Sequence, residues 1–152
     1  NIATALAKTD PKNAVAYQQR ADAFGKEALA CWQRNADAAK KFGSRTIFTY
    51  HRSWSYFADA FGFEVVNTVE PVPGIPPTAR HLQELVDQAK TRKVAVLIQE
   101  PYFSADGGKF LTRQAGVRLI VQPASCDAPA AGSYLKHFDT IMVALAAPAG
   151  GQ

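Results

Sequence analysis

The chain has 152 residues, of which 47% are hydrophobic and 20% charged, and its formal net charge is +4. This size and composition predict one globular domain with its own core and exclude a disordered chain. The 17 basic residues are scattered rather than concentrated on one face, which argues against a nucleic-acid-binding protein. No apolar run approaches the ~18–20 residues that a membrane-spanning helix needs.

A long helix is predicted near the start of the chain. Asp10 and Pro11 are a typical helix start, and residues 14–41 contain no Pro and one Gly, Gly25. Apolar residues recur in this range at helical spacing. At 1.5 Å per residue the helix would be roughly 40 Å long, which suits a strut between two lobes or an ordinary long surface helix. The chain opens inside a helix-like segment, so we expect that its natural N-terminus has been removed.

Beyond Gly43 the pattern alternates between strands and helices. Runs rich in Val, Ile or Phe are typical of strands, and the segments between them have a helical period. This repetition predicts an α/β fold with a four-stranded, mostly parallel sheet and helices on both faces. The predicted strands are Thr46–Tyr50, Glu64–Val69, Val94–Ile98 and Arg118–Gln122, and the predicted helices are Trp54–Phe61, Ala79–Lys90, Gly108–Ala115 and Gly132–Ala146.

Potential metal ligands follow the predicted strands. His51 follows the first strand, Glu100 the third, and Cys126 with Asp127 the fourth, whereas the second is followed only by Glu70 and a proline-rich loop. The carboxyl ends of parallel strands meet at one edge of a sheet, so these side chains should converge there. His51 also lies near a helix N-terminus, whose positive end favours the neutral ring that ligates metals. Imidazole, carboxylate and thiolate at one edge form a ligand set that suits zinc or manganese.

Two other functions stay open on this pattern. A site of His51, Glu100 and Asp127 with an open coordination position would suit a metal-dependent, hydrolase-like α/β enzyme. The chain has no nucleophile elbow, no phosphate-binding Gly-rich loop and no Cys-x-x-Cys motif, which argues against other enzyme classes. A metal-free interaction module would predict that replacing His51 changes stability alone.

The remaining histidines and cysteines carry less information. His81 and His137 fall on predicted helices beside apolar residues, and no role is assigned to either. Cys31 and Cys126 are too few for a disulfide framework, and the sequence leaves open whether they are bonded to each other.

Two motifs in the first half of the chain resemble a known protein family. Residues 50–58 read Tyr-His-Arg-Ser-Trp-Ser-Tyr-Phe-Ala, and residues 70–77 read Glu-Pro-Val-Pro-Gly-Ile-Pro-Pro. Together with Asp-Pro-Lys-Asn at residues 10–13, they resemble the zinc- and manganese-binding substrate-binding proteins of ABC importers in the bacterial cell envelope. The resemblance implies a two-lobed protein, of which this chain is one part. It assigns 1–43 to the N-terminal segment and connecting helix, 44–147 to the second, metal-binding lobe, and 148–152 to a flexible tail.

The same resemblance implies roles for the residues at the strand ends. His51 would be the first metal ligand of the second lobe. Asp127 would be the last, with Cys126 as the alternative. Glu100 would either orient the His51 ring through its other N–H or make an ordinary cap or loop hydrogen bond.

The resemblance also implies a transport function rather than catalysis. The cargo would be zinc, with manganese as the alternative, and a histidine at position 51 in place of a carboxylate favours zinc. The expected partners are the metal ion, an ABC permease of the cytoplasmic membrane and the missing N-terminal lobe, and the expected location is the periplasm or the cell envelope. Other ligands of the family come from the first lobe, so we expect this chain alone to bind zinc weakly or not at all, unless a second copy completes the site.

Overall fold

The structure, a computed structural model, describes residues 1–126 and 130–147. Short 3₁₀ turns occupy Pro11–Asn13 and Arg52–Trp54. None of the described helices is long and apolar enough to cross a membrane. The helices are α1 (Ile2–Thr9), α2 (Ala14–Ala39), α3 (Ser55–Phe61), α4 (Ala79–Arg92), α5 (Asp106–Ala115) and α6 (Ser133–Ala146), and the strands are β1 (Thr46–Thr49), β2 (Glu64–Thr68), β3 (Val96–Gln99) and β4 (Arg118–Val121).

The chain divides into two compact units, residues 1–34 and residues 35–152. The first unit holds α1 and most of α2. Between these helices, the carboxylate of Asp10 accepts hydrogen bonds from Asn13 Nδ2 (2.7 Å) and from the Tyr17 hydroxyl (2.8 Å). Cys31 is the one buried residue of this unit, and the large apolar side chains on its helices are exposed (Ile2, Leu6, Val15, Phe24, Leu29 and Trp32).

The second unit is built on a four-stranded sheet in the order β2-β1-β3-β4. All three strand pairs are parallel, with Thr49 opposite Thr68 on one side and Ile98 on the other. Helices α3, α4 and α5 each connect one strand to the next, which gives three βαβ units. The predicted α/β fold is confirmed, and the described sheet is parallel throughout rather than mostly parallel.

Alternate side chains of the strands pack on opposite faces of the sheet, as expected for a period of two residues. One face packs against α3 and α6, and the other against α4 and α5. Each large apolar side chain that is fully buried contributes about 1.5–3 kcal/mol. The first core includes Ile47, Phe57, Ile98 and Ile141, and the second includes Phe48, Leu85, Leu97 and Leu111.

The third strand begins two residues later than the sequence predicts. Val94 was assigned to the strand, but its backbone N–H donates to the Ala89 carbonyl (3.0 Å) and so ends α4. Lys93 makes this helix end possible because it adopts the left-handed conformation, with φ +54°. A lysine gives no sequence signal for this conformation, which glycine usually supplies.

Candidate metal centre

His51 lies at the carboxyl edge of the sheet, directly after β1. Tyr50 still belongs to the ladder, since its N–H donates to the Ile98 carbonyl (2.8 Å). His51 itself is extended, and the chain then turns into the 3₁₀ turn and α3. Trp54 and Phe57 are buried and meet edge to face at 5.7 Å, which anchors this turn on the core. The His51 side chain stays 30% exposed, so a ligand can reach it.

The His51 ring is oriented by Glu70. Nδ1 of His51 contacts Oε2 of Glu70, whose side chain is 8% exposed. A carboxylate accepts hydrogen bonds, so Nδ1 carries a proton, which leaves Nε2 as the nitrogen whose lone pair a metal can use. A histidine that binds a metal usually donates its other N–H to a carboxylate in this way. The pair therefore has the arrangement that a metal-binding histidine needs.

The loop after β2 holds the Glu70 carboxylate in place. Its second oxygen, Oε1, accepts the backbone N–H of Gly74 (2.8 Å). Gly74 has φ +79°, a conformation that glycine adopts without strain. The Glu70 backbone N–H donates to the Tyr50 carbonyl (2.9 Å), which ties the residue to the end of β1. Both carboxylate oxygens of Glu70 thus have a fixed partner.

The Glu100 carboxylate makes neither of the contacts that the sequence predicted for it among the described residues: it does not orient the His51 ring, and it forms no cap or loop hydrogen bond. Glu100 is fully buried, and neither of its carboxylate oxygens has a hydrogen-bond partner within the described residues. The carboxylate that contacts the His51 ring is Glu70. A direct sequence signal existed, because Glu70 immediately follows a predicted strand and is itself followed four residues later by a glycine. The sequence did not show whether the loop after β2 or the loop after β3 brings its glutamate to the His51 ring, since both strands lie next to β1.

Aromatic side chains line the β3 side of the site. Phe103 stacks on Tyr50 with ring centroids 4.2 Å apart, and its centroid lies 6.1 Å from that of His51. Burial, and secondarily the negative charge of Glu70, raise the pKa of Tyr50. The Glu70 charge therefore acts across the site, where it would also stabilise a bound cation.

The other predicted ligands follow the last strand. Cys126 is exposed and forms no disulfide. It lies five residues beyond the end of β4, and β4 is two strands away from β1. Asp127 lies outside the described residues. Among residues 1–126 and 130–147, no three or more His, Cys, Asp or Glu side chains come together in a group that could hold a metal ion.

A comparison with protein families identifies the chain's relatives. The family model described as "Zinc-uptake complex component A periplasmic", ZnuA, matches residues 1–147. The chain belongs to the ZnuA family. Among curated proteins, it is similar to the high-affinity zinc uptake system protein ZnuA of Brucella abortus (strain 2308), with 26% identity over 103 residues. That match covers 68% of this chain and 31% of the Brucella protein.

Solved structures of related proteins share the fold. A crystal structure of ZnuA superposes with a TM-score of 0.79 at 25% identity and covers 95% of this chain. The Pseudomonas aeruginosa protein FpvC in complex with Mn²⁺ gives a TM-score of 0.72 at 31% identity, again over 95% of the chain. The laminin-binding adhesin Lmb of Streptococcus agalactiae gives 0.79 at 26%, also over 95%. This ZnuA-family chain spans about half the length of these solved proteins, 53% to 55%.

Proposed function

We propose that this chain is the connecting helix and second lobe of a solute-binding protein that captures a divalent metal ion for an ABC importer. The contact between His51 Nδ1 and Glu70 carries the proposal, because it leaves Nε2, the other ring nitrogen of a partly exposed histidine, as the atom that can bind a metal. Membership of the ZnuA family supports transport over the hydrolase-like alternative. The protein would work in the periplasm or at the cell envelope and would pass the ion to a permease of the cytoplasmic membrane.

The preferred cargo is zinc. An imidazole nitrogen suits the borderline-soft Zn²⁺ better than the harder Mn²⁺, which favours oxygen ligands. The family description and the Brucella relative both name zinc uptake. The relative FpvC has been solved with Mn²⁺ and with Ni²⁺, so the order of affinities needs to be measured for all three ions.

This chain carries part of the ligand set. His51 is the ligand that the geometry supports, and Asp127 is proposed as the second, with Cys126 as the alternative. Four protein ligands are usual for a closed zinc site. We infer that the missing N-terminal lobe supplies the others. In this division residues 1–43 connect the lobes and residues 44–147 form the second one.

Zinc titration by calorimetry tests the proposal on two proteins, the isolated 152-residue chain and a protein that carries both lobes. The two-lobed protein should bind zinc tightly, and His51→Ala should weaken binding by more than the roughly 100-fold that loss of an outer hydrogen-bond partner can cost. His137→Ala is the matched control, because it removes a histidine from α6. The isolated chain should bind weakly. Tight one-to-one binding by this chain alone, lost in His51→Ala, would show that one half carries a complete site.

Separate substitutions assign the second ligand. Asp127→Ala should weaken zinc binding by the two-lobed protein, and Cys126→Ala should leave it unchanged. The reverse result would assign the ligand to the Cys126 thiolate.

A further inference from the structure

His81, on the first turn of α4, is hydrogen-bonded to the end of β2. The helix begins after Thr78, whose hydroxyl oxygen accepts the His81 backbone N–H (3.2 Å). The ring is 16% exposed, and its Nε2 lies 2.9 Å from the carbonyl oxygen of Thr68. A carbonyl accepts hydrogen bonds, so Nε2 of His81 carries the proton and donates it. The histidine therefore acts as a side-chain donor to the backbone of a strand.

Thr68 needs such a donor because β2 is an edge strand of the sheet. The outward backbone groups of an edge strand have no neighbouring strand to bind them. Side chains satisfy them here: the Thr68 N–H donates to Oδ1 of Asn67 (2.8 Å), and the Thr68 carbonyl accepts from His81. The last residue of the strand is thus fixed against α4.

A continuous set of contacts runs from Thr68 to the candidate metal centre. The Thr68 hydroxyl donates to the Glu70 carbonyl (2.8 Å). Two residues beyond Thr68, the Glu70 carboxylate contacts Nδ1 of His51. A shift of the Thr68 backbone would move Glu70 with it and would weaken the contact that orients the His51 ring.

We propose that His81 is a positioning residue: it holds the end of β2 so that Glu70 meets Nδ1 of His51 and keeps the proton on that nitrogen. The role in metal binding rests on the proposed function, but the effect on the His51 ring does not, since it exists in the metal-free chain. Glu70 contacts the ring itself, and His81 acts through Thr68.

A second link between α4 and β2 provides a matched control. Nη2 of Arg92, the last residue of α4, contacts Oε1 of Glu64, which begins β2 at the end opposite to Thr68. Arg92→Leu breaks this link and leaves both side-chain contacts of the Thr68 backbone, from His81 and to Asn67, in place. His81→Leu removes the link that leads to Glu70. A merely structural role of α4 would make the two variants equivalent.

The test is nitrogen-15 NMR of the histidine rings in the metal-free chain, in alkaline buffer where neutral imidazoles dominate. In the parent chain His51 should carry its proton on Nδ1. His81→Leu should shift His51 towards a mixture in which the Nε2–H tautomer appears. His81→Gln, whose amide can donate to Thr68 at similar reach, should restore the parent tautomer, and Arg92→Leu should leave it unchanged.

The outcomes separate this inference from the proposed function. An unchanged His51 tautomer in folded His81→Leu overturns the positioning role even if zinc binding depends on His51. If His81→Leu does not fold, His81→Asn provides the same test with a side chain too short to reach Thr68, and an unchanged tautomer there overturns the role equally.

In the two-lobed protein, zinc affinity should fall about threefold to tenfold in His81→Leu, less than for loss of a direct partner of the ligand. If His51→Ala leaves the zinc affinity unchanged, the proposed function is wrong, but the result on the His51 tautomer still holds.

Discussion

A glutamate follows each of the two strands beside His51, and the two glutamates lie in different environments. The register that pairs Thr49 with Thr68 on β2 and with Ile98 on β3, continued by two residues, places Glu70 on one side of His51 and Glu100 on the other. Glu70 has a partner for each carboxylate oxygen, one on the His51 ring and one on the Gly74 backbone. Glu100 is fully buried with no partner for either oxygen among the described residues.

The difference shows that the loop after a strand, rather than the strand end itself, decides what an acidic residue does. The β2 loop turns back at Gly74 and presents an N–H to Glu70. After β3 the chain turns differently: the Phe103 N–H donates to the Glu100 carbonyl (3.3 Å), and the Gln99 side chain donates to the Phe103 carbonyl (3.0 Å). These bonds satisfy the β3 loop and leave the Glu100 carboxylate in the interior.

The largest effect should come from removing the partner of the His51 ring. Glu70→Ala should lower the zinc affinity of the two-lobed protein about 10-fold to 100-fold, because the ring loses the acceptor that orients it and sets its tautomer. Calorimetric titration measures the change. Glu100→Ala is the comparison on the other flank and should leave the affinity within about threefold of the parent. A larger loss of zinc affinity in Glu100→Ala than in Glu70→Ala would show that Glu100, rather than Glu70, supports the His51 ring.

Replacing Glu100 should change the free energy of unfolding rather than the zinc affinity. Glu100→Met replaces a buried carboxylate by an apolar side chain of similar size, and we expect it to raise the free energy of unfolding by about 1–3 kcal/mol, because an unpartnered buried polar group is costly. Urea denaturation monitored by circular dichroism measures this. A destabilised Glu100→Met would show that the carboxylate makes favourable interactions in the interior and would contradict the comparison.

A smaller effect is expected from the loop that holds Glu70. Gly74→Ala adds a Cβ that meets no atom within 4 Å, so the change acts through the positive φ alone. The strain should cost about 1 kcal/mol of unfolding free energy and shift the N–H that Glu70 accepts. Gly43→Ala is the control, because its Cβ also meets nothing within 4 Å and its φ is not positive. Equal stability of the two variants, measured by urea denaturation, would contradict the role assigned to the positive φ of Gly74.

The smallest effect concerns alkaline pH. Burial, and then the charge of Glu70, raise the pKa of Tyr50 above its ordinary value of 10.0, so the folded chain holds this proton longer than the unfolded chain does. The resulting stability is present below the unfolded value and is lost as the pH rises through the folded one. Tyr50→Phe should therefore flatten the decline in stability above about pH 10. Urea denaturation at a series of alkaline pH values tests this, and an unchanged slope would contradict it.

Much of the fold was predictable from local patterns. Strands of β-branched and aromatic residues alternate with helical segments, and the parallel sheet follows from that alternation. The ends of two helices, at Phe61 and at Ala115, were also predicted. The start of β3 was not predicted, because Lys93 adopts the left-handed conformation and a lysine gives no sequence signal for it.

The sequence predicted where His51 lies but not which carboxylate contacts its ring. His51 was placed at the sheet edge by the change of period from strand to helix. Whether Glu70 or Glu100 contacts its ring depends on loop geometry after β2 and β3, which is set by backbone hydrogen bonds to Gly74 and Phe103 rather than by strand pattern. The roles of Cys126 and Asp127 stay predictions.

The most direct test of the central claim is a zinc titration of the two-lobed protein with nitrogen-15-labelled histidine rings. Zinc should shift the Nε2 resonance of His51 while Nδ1 keeps its proton, because Nδ1 donates to Glu70 and leaves Nε2 to bind the metal. Resonances of His81 and His137 should not show metal coordination. If zinc binds tightly and the His51 nitrogens do not change, or if Nδ1 loses its proton to the metal, then His51 does not bind zinc in the orientation that Glu70 imposes, and the claim is wrong.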